Sequence, residues 1–383
     1  MPGSAVNLFL ATTAFSISFA FWGLIAGLSP LLKVELRLSA TDAGLMLAIP
    51  VLLGSVGRIP MGGLTDRLGG RLVFSILLMF AVIPAAALSL NHSYHSLLFW
   101  GFWLGLAGTS FAIGIPFVSQ WFPPEKQGLA LGIYGAGNIG QSIAVFFGPY
   151  FAYRIGIPPT FALFGAASLA WGLVFSVWAR NAQVSRRPVT IKENVRVLCT
   201  EPLSWLLSLF YFLTFGGFVA LSIYLPILLR EFFSLEPVDA GARTAGFIIL
   251  ATACRPIGGW LSDRFGGANV LLFVFEALAL FPVLMVLPSI YPFTVGALGS
   301  AALLGLGNGA VFKLVPQHFP GRVGAVTGLV GAAGGIGGFF PPIVLGILKD
   351  VTGNYVLGFV FLGAFSLGCC WMLRWVFVRL AER

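Results

Sequence analysis

The stretch GRIPMGGLTDRLGG at residues 57–70 recurs as CRPIGGWLSDRFGG at residues 254–267, which lies 197 positions further along the chain. The two copies share an arginine and an Asp-Arg pair: Arg58 with Arg255, Asp66 with Asp263, and Arg67 with Arg264. The same gapless offset aligns a glycine-rich stretch near residue 137 with one near residue 334. Repetition at a fixed offset indicates an internal duplication, so we expect a chain built from two equivalent parts.

The composition predicts an all-α integral membrane protein. Of the 383 residues, 58% are hydrophobic and only 9% are charged, whereas soluble domains carry about 25% charged residues. A span of about 20 residues is needed to cross the hydrocarbon core, and the apolar runs predict twelve transmembrane helices. Their predicted limits are 8–32, 42–65, 71–90, 94–121, 125–151, 158–179, 202–230, 239–263, 268–287, 291–315, 322–348 and 354–378.

The charges predict the orientation of these helices. Of the 22 Lys and Arg residues, 13 fall on the side of the membrane that holds the termini and six on the other side. This bias places both termini in the cytoplasm, and we expect a multi-pass protein of the inner (cytoplasmic) membrane. The basic residues that give the net charge of +9 are therefore explained by the orientation of the chain in the lipid bilayer, and we expect no nucleic-acid partner.

The longest polar stretch separates the sixth and seventh predicted helices. We therefore expect an N-terminal six-helix half at residues 1–180, a cytoplasmic linker at 181–201 and a C-terminal six-helix half at 202–383. Parallel repeats of this kind are related by a pseudo-two-fold axis along the membrane normal, and their substrate site lies near the midplane between the halves.

Arg58 and Arg255 each lie eight residues before the aspartate that ends a predicted helix. Eight helical residues span about 12 Å, which places both guanidinium groups near the middle of a hydrocarbon core about 30 Å thick. An arginine stays charged there, at a cost of about 2.5–3.5 kcal/mol on insertion scales. Because only Glu276 is an acid expected at similar depth, the pair is predicted to bind an anion. The alternative is that each arginine pairs with a carboxylate or carbonyl and only fixes helix packing.

The fifth and eleventh predicted helices carry closely spaced glycines, in GIYGAGNIGQS at 132–142 and GLVGAAGGIGGFFPP at 328–342. Such a bare helix face lets another backbone or a ligand approach closely. We expect the following residues to act as gating glycines: Gly135, Gly137, Gly140, Gly331, Gly334 and Gly337. A buried amide needs hydrogen-bond partners, so Asn138 is predicted to bind oxygens of the anion.

These motifs resemble those of a known family. The Asp-Arg pairs resemble the cytoplasmic signature of the major facilitator superfamily, and the two glycine-rich helices resemble the nitrate signatures of its nitrate/nitrite porter family, in the bacterial assimilatory branch. Arg58 and Arg255 match the two substrate-binding arginines of that family. The resemblance covers nearly the whole chain. It implies the major facilitator fold and secondary active transport of nitrate, nitrite or both by alternating access.

The resemblance also implies aromatic walls for a flat anion. FYFLTFGGF at 210–218 resembles the seventh helix of the family, and TSFAIG and FAFW resemble its fourth and first helices. The aromatic residues implied for the site are Tyr211, Phe215, Phe111 and Phe19.

The coupling ion stays open at this stage. Lys313, in the tenth predicted helix, either extends toward the headgroups or adds a third positive charge to the substrate path. An exchanger needs only an empty cationic site that reorients poorly, whereas proton symport needs a titratable group such as Glu276 or Lys313. Import of the small anion is the leading expectation, and the alternatives are a nitrate/nitrite exchanger rather than a proton-coupled importer, or a major-facilitator carrier of small carboxylates.

Other classes of function are disfavoured. The spans contain no Ser/His/Asp or Cys/His set, so we expect no enzyme, and the four cysteines and three histidines predict neither a metal site nor a cofactor. Two equivalent halves that meet at one charged site favour a carrier over a channel. The expected partners are a small inorganic anion, protons in the symport alternative, and lipid, with the chain acting as a monomer.

Overall fold

Residues 3–122, 130, 133–182, 201–318 and 323–381 are described by the computed structural model, and nearly all of them are helical. In the first six helices the bounds are α1 (Ser4–Trp22 and Leu24–Glu35), α2 (Ala40–Val56 and Arg58–Leu68), α3 (Gly70–Phe80 and Val82–Leu90), α4 (Tyr94–Leu104 and Ser110–Ser119, joined by the 3₁₀ turn Gly105–Thr109), α5 (3₁₀ turn Ala136–Asn138, then Ile139–Ile155) and α6 (Ile157–Trp178). The others are α7 (Pro202–Phe233), α8 (Pro237–Phe265), α9 (Gly267–Leu284), α10 (Ile290–His318), α11 (Val323–Gly337 and Phe340–Thr352) and α12 (Val356–Ala381).

The prediction of an all-helical membrane protein is confirmed. Within the described residues, eleven helices are long and apolar enough to cross a membrane, against the twelve predicted. The difference arises at α5, whose regular part, Ile139–Ile155, has 17 residues. Its glycine-rich beginning winds into a 3₁₀ turn, and residues 123–129 and 131–132 lie outside the described part.

α2 is interrupted immediately before the first arginine. Gly57 forms a turn between Val56 and Arg58, and the helix resumes at Arg58. Pro60 explains the break, because a proline has no N–H to donate to the carbonyl four residues earlier, which here belongs to Val56. The local sequence Arg-Ile-Pro therefore sets the arginine at the beginning of a new helical segment.

The repeat is visible in the packing of helices. A Cβ atom added to Gly70 would lie 2.6 Å from the Phe117 side chain, and one added to Gly267 would lie 2.9 Å from Leu314. Both glycines and both contacted residues are 197 positions apart, so the contact of α3 with α4 recurs as that of α9 with α10. We call α1–α6 the N-terminal half and α7–α12 the C-terminal half.

The two halves contact each other mainly through α5 with α8 and α2 with α11. The predicted linker at 181–201 lies mostly outside the described residues, which omit 183–200, so the boundaries 1–180 and 202–383 stay a prediction. The side chains of Asp66 and Arg67 also lie outside the described part, although their backbone belongs to α2.

Candidate functional site

Arg58 and Arg255 approach the same aromatic ring from the two halves. The guanidinium carbon of Arg58 lies 5.5 Å from the centroid of the Phe215 ring, and that of Arg255 lies 5.6 Å from it. Both guanidinium carbons therefore lie within 5.6 Å of the same point, the centre of the Phe215 ring. A phenyl face attracts a cation, so Phe215 stabilises two like charges that would otherwise repel each other.

Among the described residues, each guanidinium group has one polar partner. Arg58 donates from Nη1 to the carbonyl oxygen of Gly331 on α11 (3.1 Å), and Arg255 donates from Nη2 to the hydroxyl oxygen of Tyr211 (3.0 Å). Nε of Arg58 is buried without a hydrogen-bond partner. Within the part of the chain that the structure describes, neither arginine is paired with a carboxylate. The two positive charges are thus left without an acidic partner, as the sequence predicts.

Tyr211 and Phe215 form one wall beside the arginines. Their rings are stacked, with centroids 5.0 Å apart and planes 7° from parallel. Both side chains are buried, as is almost the whole of α7. Phe312 of α10 packs edge-on against Tyr211, with centroids 4.8 Å apart. Sequence reasoning missed Phe312, although it lies in the same helix as Lys313.

The other two predicted aromatic residues lie in a cluster of the N-terminal half. Phe15 is at the centre of this cluster, and its ring centroid is 4.5 Å from that of Phe19, 4.9 Å from that of Tyr134 and 5.7 Å from that of Phe111. No contact with either arginine is found for these rings among the described residues. Anion-contacting roles for Phe19 and Phe111 therefore stay predictions.

Asn138 is buried, with 3% of its surface exposed, and its side chain bonds to its own helix. Nδ2 donates to the carbonyl oxygen of Gly135 at 2.9 Å. In a regular α-helix the Gly135 carbonyl would accept from the backbone N–H four residues later. Here the Asn138 side chain bonds to that carbonyl, at the 3₁₀ turn with which α5 begins. Contact between Asn138 and an anion stays a prediction.

The predicted gating glycines fall into two groups. An added Cβ atom would lie 1.8 Å from the Ser16 carbonyl oxygen at Gly140 and 2.3 Å from the Phe212 carbonyl oxygen at Gly337. A Cβ atom added to Gly137 would collide with a side chain of α1, and one added to Gly334 would collide with a side chain of α7. These four glycines thus allow close packing inside each half. Gly135 and Gly331 instead face open space, with no atom within 4 Å of an added Cβ atom, and the gating role of all six stays a prediction.

Lys313 and Glu276 are both half-exposed and both form ion pairs away from the stacked aromatic wall. Lys313 pairs with Asp263 of the repeated motif, and Glu276 pairs with Arg374 of α12. Arg264, the neighbour of Asp263, lies over the Trp260 ring at 5.0 Å. Asp263 lies near the end of α8, on the side of the molecule that holds the chain termini. The ion pair therefore favours a role for Lys313 at this end of α8 and α10.

The opposite end of the molecule holds contacts between the halves. Asp350, at the end of α11, accepts hydrogen bonds from the backbone N–H groups of Ala40 (3.1 Å) and Thr41 (2.8 Å) at the beginning of α2. A carboxylate at a helix N-terminus satisfies free N–H groups and interacts favourably with the helix dipole. Here the cap of one half is supplied by the other half.

A second contact lies beside this cap. Lys33 of α1 forms an ion pair with Glu231 of α7, and the Tyr355 hydroxyl donates to the other carboxylate oxygen of Glu231 at 2.7 Å. Burial raises the pKa of Tyr355 above its ordinary value, so the hydroxyl stays a neutral donor. We call the Asp350 cap and this Lys33–Glu231–Tyr355 cluster the outer latch.

The fold defines a membrane transporter with many spanning helices, and its relatives are named transporters and not enzymes, as expected from the sequence. The chain belongs to the Major Facilitator Superfamily, whose family model matches residues 10–315 and 207–383, and within it to the nitrate/nitrite porter family. The predicted family and fold are thereby confirmed.

The relatives that show this carry transport names. The chain is 38% identical to the "Nitrite extrusion protein" of Bacillus subtilis, with 97% of this chain and 94% of that protein covered. It is 38% identical to the "Probable nitrate/nitrite transporter NarK2" of Mycobacterium tuberculosis, with 97% and 96% covered. It is 37% identical to the "Probable nitrate transporter NarT" of Staphylococcus epidermidis, with 96% and 95% covered.

Solved structures share the fold at lower identity. A bacterial homologue of the human lysosomal transporter Spinster matches with a TM-score of 0.78 and 17% identity, over 97% of this chain and 96% of that one. The human organic anion transporter MFSD10 matches with a TM-score of 0.73 and 16% identity, over 97% and 100%.

Proposed function

We propose that this protein carries nitrate and nitrite across the cytoplasmic membrane as a secondary active transporter, with the anion held between Arg58 and Arg255. The observation that carries this proposal is the convergence of two arginines, without an acidic partner among the described residues, on the Phe215 ring. The names of relatives that match nearly the full chain support the same anions.

The chemistry of the site suits a flat anion with one negative charge. Guanidinium groups are planar and donate pairs of parallel hydrogen bonds, which matches two oxygens of nitrate or nitrite. The stacked rings of Tyr211 and Phe215 supply a flat apolar wall, and such a wall favours a weakly hydrated anion over a strongly hydrated one. A carrier of small carboxylates remains the alternative, and competition uptake separates the two.

The Tyr211 hydroxyl is expected to contribute directly to affinity. We predict that Tyr211→Phe raises the KM for nitrate about tenfold, because a hydrogen bond to a charged partner is lost from a buried site. The maximal rate should change less than the KM, since the ring and its stacking remain. Initial uptake rates over a range of nitrate concentrations measure both. An unchanged KM would contradict a role for this hydroxyl at the anion.

We also propose transport by alternating access between the two halves, at residues 1–180 and 202–383, with both termini in the cytoplasm and the chain acting as a monomer. The outer latch joins the halves at the end opposite the termini, while Gly135 and Gly331 face open space nearer the other end. This arrangement is the one expected of a carrier open toward the cytoplasm.

Removal of the Asp350 carboxylate should weaken the outer latch. A lost helix cap costs about 0.5–2 kcal/mol, so Asp350→Ala is predicted to raise the outward-open population about tenfold. Spin labels on cysteines placed at Asn91 and Ser289, in exposed turns of the two halves, would report the change as a longer distance. Asp239→Ala is the matched control, because that carboxylate pairs with Arg243 of its own helix. Equal distance distributions for the two variants would contradict a latch.

One observation favours exchange over proton symport. The two groups first considered for proton coupling, Glu276 and Lys313, are ion-paired with Arg374 and Asp263. Among the described side chains, no carboxylate, histidine or lysine contacts Arg58 or Arg255. An exchanger needs no such group, because an empty site with two positive charges reorients poorly until an anion neutralises it.

Uptake of labelled nitrate into proteoliposomes tests this proposal. We expect uptake that internal nitrite accelerates and that a pH gradient alone does not. Acceleration by the pH gradient without internal anion would contradict exchange. Stronger competition by small carboxylates than by nitrite would favour the carboxylate carrier, and the absence of uptake by folded, reconstituted protein would contradict the function itself.

A further inference from the structure

The internal repeat gives each residue of one half an equivalent in the other half. Gly140 and Gly337 are 197 positions apart and approach the carbonyl oxygens of Ser16 and Phe212, which are 196 apart. The offset between α1 and α7 is therefore 196, so that Phe15 of α1 corresponds to Tyr211 of α7. The contacts of Gly70 and Gly267 fix the offset between α4 and α10 at 197.

With these offsets, the aromatic cluster of the N-terminal half corresponds to a more polar group of residues in the C-terminal half, which we call the polar counterpart. Phe15, Phe111 and Tyr134 pack on one another in a closed group, with the Tyr134 ring stacked on both phenylalanines. Their equivalents are Tyr211, Asn308 and Gly331. An amide thus replaces one ring, and a hydrogen atom replaces another. The space beside Gly331 is open, because no atom lies within 4 Å of an added Cβ atom.

The polar counterpart adjoins both arginines. Arg58 donates to the carbonyl oxygen of Gly331, and Arg255 donates to the hydroxyl of Tyr211. Two of the three residues that replace the closed aromatic group, Gly331 and Tyr211, are therefore the ones that anchor the two guanidinium groups.

Asn308 lies on the face of α10 that packs on Tyr211. Phe312, one turn along the same helix face, packs on Tyr211. Gly309, the next residue, lies against the backbone carbonyl of Arg255, at 2.1 Å from an added Cβ atom. α10 therefore passes beside both Tyr211 and Arg255 at the level of Asn308.

The Asn308 side chain is buried, and its oxygen is unpaired. Only 1% of the residue is exposed, and its Oδ1 atom has no hydrogen-bond partner. A buried polar group without a partner destabilises a fold, and most such groups in proteins are satisfied. An amide can accept from a hydroxyl with its oxygen and donate two hydrogen bonds with its nitrogen. The unpaired oxygen of Asn308 is therefore free to accept, and an amide nitrogen can donate, when a polar group or an anion enters this space.

We propose that Asn308 and the Tyr211 hydroxyl form a polar subsite that binds the third oxygen of nitrate and so distinguishes nitrate from nitrite. This inference rests on the proposed function. Two guanidinium groups can each bind one oxygen of the anion, and nitrate then presents one oxygen more than nitrite. Removal of the Asn308 amide should therefore weaken the binding of nitrate more than the binding of nitrite.

Transport kinetics of Asn308→Leu test the subsite, because leucine has a similar volume and no polar atom. We expect the KM for nitrate to rise about tenfold, as for a lost hydrogen bond to an ion, and the KM for nitrite to rise less than about threefold. Ser300→Ala is the matched control, since Ser300 is also buried in α10 with an unpaired side-chain oxygen. It should leave both values unchanged.

Equal effects on nitrate and nitrite, or no effect on either, would overturn the subsite. If Asn308→Leu does not reconstitute, Asn308→Ser removes the amide with a smaller change in packing, and the same comparison of KM values applies. The wild-type protein separates the two proposals. Failure of the wild type to transport either anion contradicts the proposed function, whereas normal transport with unchanged selectivity in the variants contradicts only the subsite.

Discussion

Replacement of Arg58 or Arg255 by lysine is expected to reduce nitrate uptake at least 100-fold, although each variant keeps its positive charge. An ammonium group is a compact point charge and cannot reproduce the planar pair of parallel hydrogen bonds that a guanidinium group donates. Each lost hydrogen bond to a charged partner contributes about 1.5–3 kcal/mol in a buried site, and about 2.7 kcal/mol corresponds to a 100-fold change in rate.

Geometry strengthens this expectation at both positions. Arg58 reaches Gly331 of the opposite half, and Arg255 reaches Tyr211 with the end of its guanidinium group. The shorter lysine side chain would lose these hydrogen bonds and the contact with the Phe215 ring. Arg243→Lys is the matched control on α8, because Arg243 is exposed and pairs with Asp239. Near-normal uptake by Arg58→Lys or Arg255→Lys would show that these arginines only hold the fold together.

The second large effect is expected from a single added methyl group. In Gly140→Ala the new Cβ atom would lie 1.8 Å from the Ser16 carbonyl oxygen, so α5 and α1 must separate. Overpacking of this kind costs about 1–3 kcal/mol, and we expect a melting temperature lower by about 5 °C. Uptake should fall more than tenfold, because α5 also packs against α8 of the other half.

Gly135→Ala provides the control for this substitution. Gly135 lies five residues earlier in the same glycine-rich stretch, and an added Cβ atom there meets no atom within 4 Å. Thermal unfolding should match the wild type, whereas uptake by this variant tests the predicted gating role of Gly135 separately. Because alanine favours a helix more than glycine does, helix propensity alone would not destabilise either variant, and equal destabilisation by both substitutions would contradict close packing on α1 as the reason for Gly140.

Much of the fold follows from the sequence because its signals are local. Runs of apolar residues predict membrane helices, and the repeat with offset 197 recurs in the structure as equivalent contacts of Gly70 and Gly267. The beginning of the predicted fifth helix lies mostly outside the described residues, and its described part contains a 3₁₀ turn that hydropathy does not distinguish from a regular helix.

The candidate site could be predicted only where charge marks it. Arg58 and Arg255 are conspicuous in an apolar helix, and the family resemblance led to Tyr211 and Phe215. Phe312 could not be separated by sequence from the other 36 phenylalanines, since its role depends on which face of α10 meets Tyr211.

Asn308 could have been found by alignment of the two halves. It lies in a stretch rich in glycine, where one offset makes it the counterpart of Phe111. The pairing partners of Glu276 and Lys313 could not be predicted in this way, because they come from helices whose relative rotation is set by packing.

The central claim is that one anion binds between Arg58 and Arg255, and equilibrium titration of the purified protein with nitrate tests it most directly. We predict one saturable nitrate site per chain in the wild type, displaced by nitrite, and no detectable binding in Arg58→Lys or Arg255→Lys at the same concentrations. Undiminished binding in either variant, or no saturable binding in the folded wild type, would contradict the claim.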